Sequence, residues 1–217
     1  MDVCTGFCSV AVLNGDVTLV ARHEPMKRGH VERLAPMVAE VLDEAELTPA
    51  DLGGIAVTTG PGSFTGARLG VSFARGLAVA LSIPTVGVSI FEAMRADETA
   101  PAIVALPGKN GSVLLQRFTA DGMPLAAPAE FDADTAVQIV PSTETFTVIG
   151  TAAETFLSML PEASKSRSRQ VPPSEVNAES IARLGASKLA TGTVAVPAPL
   201  YVRQADAKPQ LAVNLGG

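Results

Sequence analysis

Apolar positions recur along this chain at spacings that change abruptly, and each change marks an element. Ser9-Val10-Ala11-Val12-Leu13 and Val17-Thr18-Leu19-Val20-Ala21 flank Asn14-Gly15. Asn-Gly takes the positive φ that a tight turn requires, so the pair predicts a β-hairpin. Over residues 29–45, Val31, Leu34, Ala35, Val38, Leu42 and Ala45 fall on one helical stripe. Pro36 fits such a helix only in its first turns. Ile55-Ala56-Val57-Thr58 is a short apolar run of the buried-strand kind. It leads into Gly60-Pro61-Gly62-Ser63-Phe64-Thr65-Gly66 and a helical pattern over residues 67–81, after which Thr85-Val86-Gly87-Val88 reads as another strand. Hairpin, helix, strand, helix, strand is the order of a mixed sheet with crossover helices.

The pattern breaks around residues 97–101, and the second half repeats the theme. Ala102-Ile103-Val104-Ala105-Leu106 and Ser112-Val113-Leu114-Leu115-Gln116-Arg117-Phe118 flank a glycine-containing turn, predicting a second hairpin. Thr147-Val148-Ile149-Gly150 reads as a short strand, with a helix over residues 152–160. Another helix over 177–189 turns Ile181, Leu184 and Leu189 inward. Residues 164–169 are polar and basic and read as a solvated loop; the tail after Lys208 has no strong pattern. The expected class is α/β, with an N-terminal lobe over residues 1–100 and a C-terminal lobe over 101–217.

Composition narrows the chemistry. With 47% hydrophobic and 18% charged residues over 217 positions, the chain buries a core. A net charge of −6 argues against a broad basic face for nucleic acid. A single Tyr and no Trp leave little for base stacking. Cys4 and Cys8 form no CxxC, and His23 and His30 no HExxH, so no metal site is expected and the thiols read as apolar fillers. Met1-Asp2-Val3 opens without a basic segment or long apolar run, which predicts no signal peptide or membrane span and a cytoplasmic protein.

Two features hold candidate function. A strand, a glycine-rich turn and a helix start form an anion cradle, here built from Gly60, Gly62, Ser63, Thr65 and Gly66. The competing reading is that the glycines permit close strand–helix packing, with Thr65 capping the helix. Arg68 in the first turn opposes the helix dipole and calls for an anionic partner, a phosphate or a carboxylate.

The second feature is the helix itself. Leu69, Phe73, Leu77, Ala80 and Leu81 are expected inward. The opposite face, Arg68, Val71, Ser72, Arg75, Ala78 and Val79, has no Lys, Glu, Asp or Gln. On the preceding helix, Met37 lies about 100° and Val41 about 65° off the core stripe. These residues, with Arg33, are expected to form a protein–protein interface; the alternative is that the second lobe covers them.

The run from His30 to Val38, the segment GPGSFTGARLG from Gly60 to Gly70, Gly76-Leu77-Ala78 and Gly87-Val88-Ser89 resemble the TsaB (YeaZ) family. Asp2, Cys8-Ser9-Val10-Ala11-Val12 and Pro199-Leu200-Tyr201-Val202-Arg203 fit the same family. The resemblance implies an actin-like ATPase (ASKHA) fold of two related lobes with mixed sheets. It implies a non-catalytic scaffold that heterodimerises with the paralogue TsaD for N6-threonylcarbamoylation of adenosine-37 in tRNAs reading ANN codons. The ATPase TsaE joins, TsaC supplies threonylcarbamoyl-adenylate, and homodimers form through the same helices. No cofactor is implied for this chain alone, with ATP only at the partner interface.

The metal-binding His-x-x-x-His of TsaD falls here on Ile90 and Met94, which offer a hard metal no ligand. Family members open with an apolar strand ahead of the Asp; here Asp2 follows Met1, so either the start is mis-assigned or the first strand of lobe one is missing. In the second hairpin Ala105-Leu106-Pro107-Gly108-Lys109 replaces the family's Ala-Leu-Asp-Ala-Arg. The competing function is a small nucleotide-binding phosphotransferase using Gly60 to Gly66.

Overall fold

A computed structural model describes residues 1–172, 176–192 and 195–202; Arg203 and the tail beyond it lie outside the described residues. The first half opens with an antiparallel hairpin of β1 (Phe7–Asn14) and β2 (Val17–Pro25), turned at Gly15 with φ 57°. Helix α1 (His30–Glu44) follows, with Pro36 in its second turn. Then β3 (Ile55–Gly60), α2 (Phe64–Leu81) and β4 (Thr85–Ser89) form a parallel βαβ unit. The short α3 (Ile90–Arg95) starts directly from β4, where Ser89 and Glu92 cap each other's backbone amides. Its six residues are too few for a periodicity to stand out, and no helix is expected there from sequence.

The second half is built on one five-stranded sheet. In chain order it comprises β5 (Ala102–Pro107), β6 (Val113–Phe118), β7 (Ala129–Phe131), β8 (Phe146–Ile149) and β9 (Ser168–Val171), arranged β7-β6-β5-β8-β9. Helices α4 (Ala153–Ser158) and α5 (Glu162–Lys165) connect β8 to β9, which run parallel. The basic stretch over residues 164–169 is therefore not a free loop. Arg167 donates to the carbonyls of Pro141 and Glu144, and Arg169 pairs with Glu98, so the charges lie along a sheet edge.

Each half thus contains a hairpin followed by a strand–helix–strand unit. In both, the strand feeding the helix ends at a positive-φ glycine, Gly60 at 103° and Gly150 at 116°. The expected division at residue 100 is crossed by α6 (Ala178–Ala190), which packs back on β1, β3 and β4. Ile181 is buried in a core shared with Val88, Phe91 and Phe118. Lys188 ties α6 to the carbonyl of Gly87 and to Glu92.

Residues 1 and 2 stand between β1 and β3. Asp2 and Ser9 exchange both backbone hydrogen bonds, at 2.8 and 2.9 Å. On the other side Met1 N donates to the Ala56 carbonyl at 2.9 Å, and the Met1 carbonyl accepts from Thr58 N at 3.1 Å. These two residues stitch the hairpin to β3.

The core sorts the helix faces differently from the sequence pattern. On α2 the buried side is Gly66, Ala67, Gly70, Val71, Ala74 and Ala78, roughly a quarter turn from the leucine stripe. A Cβ on Gly70 would meet Val3 at 2.8 Å and Val57 at 3.4 Å. Small residues let the helix lie close to the strands, and its larger apolar residues are pushed to the flanks, leaving Leu69, Phe73, Leu77 and Leu81 half-buried and Ala80 exposed.

Candidate partner-binding face and interlobe cleft

The revised packing settles which expected interface residues reach the surface. Met37 and Val41 are 0% exposed and pack with Leu34 and Val10; Val71 and Ala78 pack with Ile55 and Val57. These four belong to the core, not to an outer face. Arg33 is half-buried and held in place, its guanidinium pairing with Glu24 and Glu40 at 2.6 and 2.7 Å. That pairing pulls both carboxyls below their ordinary range and raises the guanidinium.

What remains exposed is one stripe on α2: Arg68, Ser72, Arg75 and Val79, with Val79 80% exposed. At helical spacing it continues to Phe64, which is 52% exposed. Arg68 lies over the Phe64 ring, 3.8 Å from its centroid, and its Nε donates to the Tyr201 hydroxyl at 2.7 Å. The cation beside the helix start is thus compensated by an aromatic face and a phenol oxygen, not by an anion. Phe64 and Tyr201 are the members that sequence reasoning missed. Their signal was available in Phe64, an aromatic at the first helical position on the same face as Arg68. Tyr201 had none, because its contact spans 133 positions.

The glycine loop packs tightly against residues 3 and 4. A Cβ on Gly62 would overlap the Cys4 carbonyl, and one on Gly66 the Val3 carbonyl. Ser63 N donates to the Cys4 carbonyl at 2.8 Å, and the Ser63 side chain, not Thr65, caps α2 by accepting from Gly66 N at 3.1 Å. Two loop amides are thereby occupied. Thr65 is exposed and, with Ser63 and Gly66, borders a cavity of about 740 Å³ that Lys27 and Arg28 also line.

Between the halves lies a cleft of about 930 Å³, bordered by Phe64, Ile90, Met94, Leu106, Leu200 and Tyr201. Among the described residues its lining contains no Asp or Glu. Ile90 is buried in the core and Met94 packs against it. Among the described residues no three His, Cys, Asp or Glu side chains come together as metal ligands. Both cysteines are free and buried, and desolvation pushes the Cys4 thiol up to about 12 and the Cys8 thiol up to about 11. Among the described residues no helix is long and apolar enough to cross a membrane.

Comparison with known proteins gives this arrangement its relatives. The family described as "TsaD: tRNA N6-adenosine threonylcarbamoyltransferase" matches residues 24–210. The Escherichia coli protein named tRNA threonylcarbamoyladenosine biosynthesis protein TsaB is 34% identical over 126 residues, 56% of this chain and 54% of that one. The chain belongs to this family, beside the TsaB (YeaZ) proteins. An uncharacterized Mycobacterium tuberculosis protein is 33% identical over 182 residues, covering 84% of this chain and 79% of its own. The matched stretches span 54%, 38% and 56% of three curated relatives, about half their length. YeaZ from Pseudomonas aeruginosa superposes with a TM-score of 0.73 at 22% identity, covering 91% of this chain and 95% of that one. The family therefore has the expected actin-like ATPase fold here, with two related α/β lobes.

Proposed function

We propose that this TsaB-family chain acts in tRNA threonylcarbamoyladenosine biosynthesis as a non-catalytic subunit, docking a TsaD-type paralogue through the outer face of α2. The carrying observation is the exposed stripe of Phe64, Arg68, Ser72, Arg75 and Val79, apolar and cationic on a helix without a carboxylate. An ordinary solvent-facing helix presents several acids and lysines there. The cleft supports the non-catalytic part of the reading: Ile90 and Met94 offer a hard metal no ligand, and among the described residues its walls carry no carboxylate. The net charge of −6 leaves the gripping of tRNA to partner subunits.

In this reading the paralogue transfers the threonylcarbamoyl group to adenosine-37, TsaE joins the pair, and TsaC makes the threonylcarbamoyl-adenylate, all in the cytoplasm. In isolation the same α2 face makes a homodimer. No cofactor belongs to this chain, with ATP held only at the interface. The test is tRNA modification reconstituted from the organism's TsaD, TsaE and TsaC with and without this chain. Modification that proceeds equally without it contradicts the reading.

A nucleotide-binding phosphotransferase is the second reading, favoured by Lys27 and Arg28 beside Ser63 and Thr65. Calorimetry with the isolated chain tests it; no heat at millimolar ATP removes it.

A further inference from the structure

We infer that the cleft between the two halves binds a small amphipathic carboxylate, an apolar chain ended by one anionic group.

The walls are apolar and only partly covered. Met94 of α3, Leu114 of β6, Leu200 and Val202 pack against the buried core, border the cleft and stay partly exposed. At about 930 Å³ the space falls in the ~300–1,000 Å³ range of cavities that enclose small ligands. An apolar body seated there removes this surface from water.

The polar groups at the cleft set the sign of the ligand. Two cations, Arg68 and Lys109, border it, and among the described residues no Asp or Glu does. A cationic ligand meets only like charge there. The Thr5 hydroxyl is already spent, donating to Asp2 Oδ2 at 2.5 Å, and the Cys4 thiol donates to the Thr58 carbonyl at 3.5 Å.

Arg68 differs. Its Nε donates to the Tyr201 hydroxyl at 2.7 Å, while among the described residues its two Nη nitrogens hold no hydrogen bond and no carboxylate pairs with it. A phenol oxygen that accepts from a guanidinium keeps its own proton to give. The Nη groups and the Tyr201 O–H are therefore adjacent donors for one carboxylate, charge-assisted on the arginine side. The Phe64 ring beneath the guanidinium, 3.8 Å from centroid to Cζ, steadies the cation at the border of the cleft. Inorganic phosphate makes no use of the apolar walls, and a neutral hydrocarbon leaves the donors unfilled. A carboxylate on an apolar chain satisfies both.

Such binding needs no paralogue, so the test uses the full chain alone. Isothermal titration calorimetry with decanoate, octanoate and decylammonium, each at submillimolar concentration, reads the affinities. Decanoate is expected to bind saturably. Octanoate, shorter by two methylenes, is expected to be weaker by about fifteenfold, at about fourfold for each methylene buried. Decylammonium, with the wrong sign, is expected to be weaker by about tenfold or more. Arg68→Gln is expected to weaken decanoate by about tenfold and to narrow its advantage over decylammonium, at unchanged circular dichroism. Methyl NMR of the wild-type chain supplies a readout independent of that variant: the Met94 and Leu114 methyl signals shift as decanoate is added. Non-saturable uptake, equal binding of decanoate and decylammonium, full affinity in Arg68→Gln, or shifts confined to methyls outside the cleft overturn the inference.

Discussion

Arg68 and Tyr201 meet on the outer face of α2, the guanidinium donating to the phenol oxygen at 2.7 Å while lying over the Phe64 ring. This contact holds a residue near the end of the chain against the first turn of a lobe-one helix. It presents two half-exposed aromatic rings and a fixed cation as one surface. Rigid aromatic and arginine side chains are the usual energetic centres of protein interfaces.

If that cluster serves docking and not folding, Tyr201→Ala should leave thermal stability almost unchanged, within about 0.5 kcal/mol, while weakening association with the paralogue. Tyr201→Phe keeps the ring and should lose less. Differential scanning fluorimetry and a pull-down separate the two effects; a large loss of stability in either variant contradicts the assignment.

The helix-to-strand approach predicts opposite outcomes for two glycines in one helix. Gly66→Ala places a methyl against the Val3 carbonyl and should destabilise by about 3 kcal/mol. Gly76 is exposed and a Cβ there meets nothing within 4 Å, so Gly76→Ala should stabilise by about 0.5–1 kcal/mol. Urea unfolding of both variants checks the pair.

The two thiols give a pH signature. Burial raises both above an ordinary thiol, to about 12 for Cys4 and about 11 for Cys8. A raised folded value means that the stabilising difference is fully present below the unfolded thiol value of about 8.5 and is lost as pH climbs through 11 and 12. Stability should therefore fall from about pH 9 to about pH 12, and less so in Cys4→Ala/Cys8→Ala. At pH 8 a disulfide reagent such as DTNB should label neither thiol in the native protein and both in guanidinium. Rapid labelling of the native protein contradicts this burial.

Much of this was legible in the residues. The Asn14-Gly15 turn, the strand before Gly60 and the helix ending near Leu81 follow from turn chemistry and apolar spacing. The faces of α2 were not, because helical periodicity assigns the largest apolar residues to the core. Here glycines and alanines occupy it, since close approach to Val3 and Val57 leaves no room for leucine. Met37 and Val41 were misplaced for a related reason: α1 buries more of its circumference against β1 than one stripe allows for. The return of α6 to the first lobe depends on contacts more than 100 positions apart, such as Lys188 with the Gly87 carbonyl, and no local pattern encodes it. Of the exposed face of α2, Arg68, Ser72, Arg75 and Val79 were readable as an outer side lacking acids. Tyr201 was not, being brought there by the chain's return to lobe one.

The central claim is that the exposed face of α2 binds the TsaD-type paralogue. Val79 is 80% exposed, so Val79→Arg adds charge at the C-terminal end of that face without touching the core. Co-expression of this variant with the tagged paralogue, followed by size-exclusion chromatography, tests the claim most directly. The account predicts that the wild-type chain co-elutes and the variant runs apart from the paralogue at unchanged melting temperature. Co-elution of a folded Val79→Arg chain at wild-type stoichiometry would contradict it.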